Sequence, residues 1–182
     1  MRLVHADVPL LDAALASDDA LAEALGHPVV PGWATFAEAL QPTRDSLAGN
    51  PGGVTWGPRF FVDGDPPELV GWGGFKGPPV DGTVELGYEI AESRRRRGLA
   101  TAAVRAMVAE AFDAPDVSRV IAHTVAHANP SNRLLESSRF RFDGEVVSDG
   151  EVAWRFVLTR PASGEQRQEQ SGPSHSGGSS PS

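Results

Sequence analysis

The sequence predicts an α/β fold, one mixed sheet with flanking helices, and three stretches carry the prediction. Val84 to Ile90 is a short apolar-rich strand that passes through a basic turn, Arg94 to Arg97, into a helix. In that helix Ala100, Val104, Met107, Val108, Ala111 and Phe112 recur at spacings of three and four, so they share one face and that face is core. Arg119 to Val125 is another strand, and its connection from the first runs through a helix, so the two should be parallel. Upstream, short strands joined by brief turns should form an antiparallel meander.

Taken in order, Arg2 to His5 reads as a first strand. Val8 to Leu15 and Asp18 to Leu25 are short helices that pack as a hairpin, with Ser17 as N-cap and Gly26 as the stop. His27 to Trp33, punctuated by Pro28, Pro31 and Gly32, is a loop. Thr35 to Ala48 is helical again, with a break or kink expected at Pro42. Such segments ahead of the main sheet often form a substrate wall, which here would include Trp33. Strands follow at Arg59 to Val62, Glu68 to Phe75 and Thr83 to Ile90, joined by the turn-rich Asp63 to Pro67 and the loop Gly77 to Gly82. The helix after Gly98 runs to about Asp113, where Pro115 stops it. Ser131 to Ser138 is a short helix and Phe140 to Val147 a strand, and Glu151 to Leu158 closes a hairpin over Ser148, Asp149 and Gly150. From Ala162 to Ser182 the composition turns to Ser, Gly, Gln and Pro, too little apolar area to offset ordering entropy. A domain over residues 1–161 and a disordered tail are expected.

At 182 residues and 40% apolar composition the chain can bury one core. It has no cysteine, which excludes disulfides, a thiolate nucleophile and a zinc–thiolate site. Met1 to Asp7 lacks the apolar run of a signal peptide, and no stretch approaches the length of a membrane span, so a cytoplasmic protein away from membranes is expected. The formal charge is −8, yet four of the 16 basic residues are consecutive, Arg94 to Arg97. An acidic body with one basic spot suits a small anionic cofactor and a cationic acceptor such as an amine, and argues against nucleic acid.

The basic turn has the makings of a phosphate site. A strand that enters a helix through a glycine turn aims unpaired backbone N–H groups and the positive end of the helix dipole at one point. Arg95-Arg96-Arg97-Gly98-Leu99-Ala100 meets the pattern Arg/Gln-x-x-Gly-x-Gly/Ala. Neither Gly-x-x-x-x-Gly-Lys-Ser/Thr nor a helix-opening Gly-x-Gly-x-x-Gly is present. On the preceding strand, alternation puts Glu85, Gly87 and Glu89 on one face and Leu86, Tyr88 and Ile90 on the other. An amine must shed a proton before it acts as a nucleophile, and either glutamate can serve as the base. Trp33, Trp56 and Trp72 are candidates to line an acceptor pocket, with core or rim positions as the plainer reading. His123 reads as a satisfied core histidine rather than an acid or base.

Further motifs stand around this centre: Gly73-Gly74-Phe75-Lys76-Gly77-Pro78-Pro79, Val84-Glu85-Leu86-Gly87-Tyr88, His123-Thr124, and Asn129-Pro130-Ser131-Asn132-Arg133-Leu134-Leu135-Glu136. With the Arg95 to Ala100 loop they resemble, in the right order over roughly residues 54 to 160, the GCN5-related N-acetyltransferase (GNAT) family in its RimL-like branch. The resemblance implies an acyl-CoA acyltransferase fold in which the two parallel strands splay and the pantetheine arm of acetyl-CoA lies between them. Backbone groups of Leu86, Tyr88 and Ile90 would bind that arm as a pseudo-strand. Arg95, Arg96, Arg97, Gly98, Leu99, Ala100 and Thr101 would hold the pyrophosphate, and Asn129 and Ser131 would reach the pantetheine, unless the Asn-Pro-Ser run is only a helix N-cap. Glu85 is the preferred base because the resemblance places an acidic residue there, and Trp33 and Trp72 would contact the acceptor. Two departures stand out. Leu135 occupies the position where many members carry a tyrosine that protonates the departing thiolate, and Arg139-Phe140 replaces their usual Gly-Phe. The implied activity is direct acetyl transfer from acetyl-CoA to a primary amine, a protein N-terminus or a small molecule, with no metal, by a monomer or homodimer. A non-catalytic acyl-CoA-binding module that senses the ligand is the alternative.

Overall fold

The computed structural model describes residues 1–148 and 150–161, so the expected tail and Asp149 of the last hairpin lie outside the described residues. Seven strands form one sheet: β1 (Arg2–His5), β2 (Pro58–Asp63), β3 (Glu68–Phe75), β4 (Thr83–Ile90), β5 (Arg119–Val125), β6 (Arg141–Ser148) and β7 (Glu151–Thr159). Their order is β1-β2-β3-β4-β5-β7-β6. Neighbours are antiparallel except β4 and β5, which run parallel because helix α4 (Leu99–Asp113) carries the chain back across the sheet. The mixed α/β class and the meander read from sequence are what the fold contains.

Helices cover both faces. On one, Val104, Met107 and Ala111 of α4 pack with Leu135 of α5 (Pro130–Ser137) against Phe61, Val70, Val84, Leu86 and Ile90, while Ala100, Val108 and Phe112 line the margin of that core. On the other, α1 (Val8–Ala16), α2 (Asp18–Leu25) and α3 (Leu40–Gly49) bury Leu11, Leu21, Leu40 and Leu47 with Trp33 over Phe60, Leu69 and Trp72. Short polar residues set the helix starts: Asp7 accepts from the Leu10 N–H and Ser17 from the Ala20 N–H, each at 3.0 Å. No helix among the described residues is long and apolar enough to cross a membrane.

Two expectations are corrected. Thr35 to Ala48 is not one kinked helix: a 3-10 turn at Ala37–Ala39 precedes α3, and Pro42 falls in the first turn of α3, where its missing N–H has no bond to lose. Nor does β6 start at Phe140. The Phe140 N–H closes α5 on the Leu135 carbonyl, and Arg139 takes a left-handed φ of 69°, the conformation for which the family's usual glycine is suited. The Gly73-Gly74 motif has a packing cause. A Cβ on Gly73 would sit 2.3 Å from the Gly87 carbonyl oxygen of β4, so β3 and β4 can approach this closely only without a side chain there.

Arg160, just past β7, latches the far end of α4. Its guanidinium donates to the carbonyls of Phe112, Ala114 and Val117 and lies 5.2 Å over the Phe112 ring, satisfying groups that the helix end leaves open. Arg160→Ala is expected to cost about 2 kcal/mol, because charged hydrogen bonds are lost and half-buried carbonyls are left bare. A urea melt with a lower midpoint and an unchanged slope is the expected reading, and an unmoved midpoint would show that the latch is idle.

Candidate active site

The parallel pair at the centre parts company early. β4 and β5 are in register at Thr83 with Arg119, Val84 with Val120 and Glu85 with Ile121, and no pair follows among the described residues. β4 nevertheless stays bonded to β3 through Ile90, and β5 to β7 through Val125, so a gap opens between them past Glu85. The Lys76 N–H bonds the Glu85 carbonyl and the Ala91 N–H bonds the Val70 carbonyl, which fixes the direction of the odd-numbered backbone groups of β4 toward β3. By alternation, Leu86, Tyr88 and Ile90 turn theirs toward the gap. The Ile90 carbonyl is taken by Arg95 Nε at 3.1 Å. The splayed parallel strands are the fold feature the family resemblance implied.

Beyond Ile90 the chain makes a 3-10 turn at Glu92–Arg94 and enters α4 through Gly98, which caps the helix at φ 77°. No side chain caps α4; only the Ala102 N–H closes back, on the Gly98 carbonyl, and Leu99, Ala100 and Thr101 form the uncapped first turn. A Cβ built on Gly98 meets nothing within 4 Å, so the space above the helix start is open. The four arginines divide their work. Arg94 pairs with Glu68 at 2.5 and 3.0 Å and holds its carboxyl below the usual glutamate range, while Arg95 braces β4. Arg96, at a left-handed φ of 64°, and Arg97 are exposed on the turn.

On the α4 and α5 side of the gap, Asn129 is an N-cap. Its Oδ1 accepts the Ser131 and Asn132 N–H groups at 2.8 and 3.3 Å, and its Nδ2 donates to the His127 carbonyl at 2.8 Å. Asn132, which sequence reasoning passed over, is 5% exposed, accepts from the Thr124 hydroxyl at 2.8 Å and donates to the His127 carbonyl at 3.0 Å. Its spacing of three from Leu135 placed it on the buried face of α5 and was the available signal. Leu135 is fully buried. Tyr88 points to this side, its hydroxyl sealed from solvent without a partner at hydrogen-bond geometry. Burial pushes that hydroxyl up to about 12, and the nearby Ser131 pulls weakly the other way without making a well-formed bond.

The opposite side of the gap carries the two glutamates, and their surroundings differ. Glu85 Oε1 lies 2.9 Å from His123 Nδ1 and 2.6 Å from Lys76 Nζ. Glu89 accepts from the Trp72 indole at 2.5 Å and from the backbone N–H groups of Thr35 and Phe36 at 2.8 and 3.2 Å, pinning the segment ahead of α3 onto β4. His123 is thus no sealed core residue but a half-buried partner of Glu85. Trp33 and Trp72, the acceptor-wall candidates, are 3% and 8% exposed and meet edge to face; the Trp33 indole donates to Asp18 at 3.0 Å. Trp56 packs on Phe75 away from them. The aromatic ring that faces solvent on this side is Phe36, at 60% exposure, which lacks any periodic signature in the sequence. Two shallow cavities of about 300 Å³ lie elsewhere; the floor of the first is Arg59, whose charge is spent on Glu110 and on the Thr55 and Gly57 carbonyls. No group of three metal-ligating side chains occurs among the described residues.

A gap that exposes backbone on one strand and ends at an open helix N-terminus is a cradle for an extended, phosphate-bearing ligand. The comparisons with known proteins identify the family. Residues 1–141 match the family model of the acetyltransferase (GNAT) domain. The N-acetyltransferase YjdG of Bacillus subtilis, itself uncharacterised, is 32% identical over 143 residues, which is 77% of this chain and 85% of the relative. In fold, the chain resembles the ribosomal-protein-alanine N-acetyltransferase of Brucella melitensis, with a TM-score of 0.61 at 19% identity over 88% of this chain and 100% of that one. It also resembles RimJ of Mycobacterium smegmatis in complex with CoA-disulfide, with a TM-score of 0.59 at 23% identity over 84% and 79% of the two chains. A third likeness is to the aminoglycoside acetyltransferase AAC(6')-Ib in complex with coenzyme A, at a TM-score of 0.59 and 20% identity over 87% and 93%. The chain belongs to the GNAT family and is an acetyltransferase.

Proposed function

We propose that the protein is a cytoplasmic acetyl-CoA-dependent N-acetyltransferase, contained in residues 1–161, that acetylates a primary amine by direct transfer. The observation that carries this reading is the gap between β4 and β5, which leads from Glu85 to the uncapped start of α4. The residues present fit coenzyme A on two counts. Open space over Gly98 would admit a pyrophosphate against the N–H groups of Leu99, Ala100 and Thr101, with Arg96 and Arg97 adding charge. The sealed, unpartnered Tyr88 hydroxyl would gain the partner it lacks from an amide or thiol in the gap. Bound acetyl-CoA supplies an activated thioester carbonyl. The chain's own residues hold the arm along Leu86 and Tyr88, shield the gap with α4 and α5, and take a proton on the Glu85 side of the sheet. An acceptor would enter past Phe36, whose position Glu89 secures, between an acidic strand face and the sheet.

The test is a panel of amines, with polyamines, aminoglycosides and peptides of differing N-terminal residue, incubated with acetyl-CoA and read by mass spectrometry. Acetylated product with release of free coenzyme A thiol is expected from one class. Tight coenzyme binding by calorimetry with no product from any of them would favour the binding-module alternative.

A further inference from the structure

We propose that His123, not Glu85, is the side chain that takes the proton from the acceptor amine, and that Glu85 is the positioning residue that fixes its tautomer. This rests on the N-acetyltransferase reading above. A carboxylate only accepts hydrogen bonds, so the proton between Glu85 Oε1 and His123 Nδ1, 2.9 Å apart, sits on Nδ1 when the ring is neutral. The lone pair is then on Nε2, which makes no hydrogen bond among the described residues and is not sealed from solvent. Glu85 itself is poorly free to act, because the same oxygen is held by Lys76 Nζ at 2.6 Å. His123 also stands at the right place: two residues beyond Ile121, the last residue of β5 in register with β4, and therefore at the mouth of the gap. Its 15% side-chain exposure shields the ring without closing it off.

The charged groups around the ring are Glu85 on β4, Lys76 just after β3, and Arg155, directly opposite on β7 and itself held by Asp143 on β6 at 2.6 Å. The transfer balances as follows. Nε2 removes one proton from the acceptor's ammonium group, and the freed nitrogen lone pair forms the C–N bond at the thioester carbonyl carbon. The C–S bond breaks with its electron pair going to sulfur. The second proton lost by nitrogen ends on the thiol, and the one on His123 passes to water.

Two measurements test the assignment. In the free, 15N-labelled protein, a long-range proton–nitrogen spectrum reports the tautomer of each of the five histidines, and His123→Gln identifies the signal of interest. The Nδ1–H form is expected, and an Nε2–H ring would overturn the proposal. The second measurement follows kcat and kcat/KM against pH with acetyl-CoA and spermidine, or an alanyl peptide if the parent protein prefers it. His123→Gln should lower kcat by about 100-fold and remove the fall in kcat/KM on the acid side, with acetyl-CoA affinity unchanged by calorimetry. Glu85→Gln should lose less, because an amide oxygen still accepts from Nδ1–H. Retention of both kcat and the acid limb in His123→Gln, with their loss in Glu85→Gln, would make Glu85 the base and sink the proposal. A parent protein that binds acetyl-CoA yet acetylates no amine would instead overturn the broader reading, and this one with it.

Discussion

Gly98→Trp is expected to weaken coenzyme A binding by about 100-fold or more while leaving the protein folded. Two charge-assisted hydrogen bonds to a phosphate, at about 1.5 kcal/mol each, make up that factor. A ring at this position would fill the space over the first turn of α4, where a Cβ now meets nothing within 4 Å. Backbone strain has to be separated from bulk, because Gly98 holds φ at 77° and any side chain there costs about 1 kcal/mol or more. Gly98→Ala supplies the control: it carries the strain but little volume, so it should share the stability loss and keep most of the affinity. Calorimetric titration of both variants with coenzyme A decides the matter, and parental affinity in Gly98→Trp would place the phosphates elsewhere. Arg95→Ala should matter less, about 1 kcal/mol, since an exposed charge contact is screened. Part of that loss would come through β4, because Arg95 braces the Ile90 carbonyl.

The sheet and its helices were legible because they rest on short-range periodicity. Alternation along Thr83–Ile90 and the three- and four-residue spacing in Leu99–Asp113 survive in the fold, with Leu86 and Ile90 buried against Val104 and Met107. The Gly98 turn was legible for a related reason: a left-handed helix entry leaves few choices of residue. What depends on long-range approach was not. Alternation says that Glu85 and Glu89 share a face, but not that Thr35 and Phe36 fold down onto one and His123 and Lys76 onto the other, 38 residues apart in the case of His123. Composition marks Trp33 as a large aromatic in a loop, but only tertiary packing turns it inward against Phe60 and leaves Phe36 outside. The parting of β4 and β5 is a matter of register, which no local pattern records; it was reached through the family resemblance. Pro42 shows the limit of reading breakers, since the same residue that ends a helix is welcome in its first turn.

Replacing the two glutamates should separate stability from catalysis. Glu89→Ala leaves the Trp72 indole, 8% exposed, and the Thr35 and Phe36 amides without their acceptor. Only the indole is a buried donor, worth about 1 kcal/mol or more when unpaired, whereas water can reach the amides of the exposed Thr35 and Phe36, so a loss of about 1.5 kcal/mol is expected. For a domain of this size that is a fall in Tm of about 5 °C. Glu89→Gln should sit between, because one amide oxygen can keep one or two of the donors while the new NH2 group faces the others. Activity would fall with it, chiefly as a raised KM for the acceptor, because the Phe36 segment is no longer pinned at the edge of the gap. Glu85→Gln should behave in the opposite way. Its Lys76 partner is half exposed, so the ion pair adds little to stability, and Tm should move by about 2 °C or less. Its deficit should fall on kcat. Thermal melts and initial rates of the same two Gln variants decide the assignment. Should Glu89→Gln keep its Tm and lose kcat about 100-fold, while Glu85→Gln loses Tm alone, then the proton-transfer side of the site is organised around Glu89 and the His123 pairing is structural.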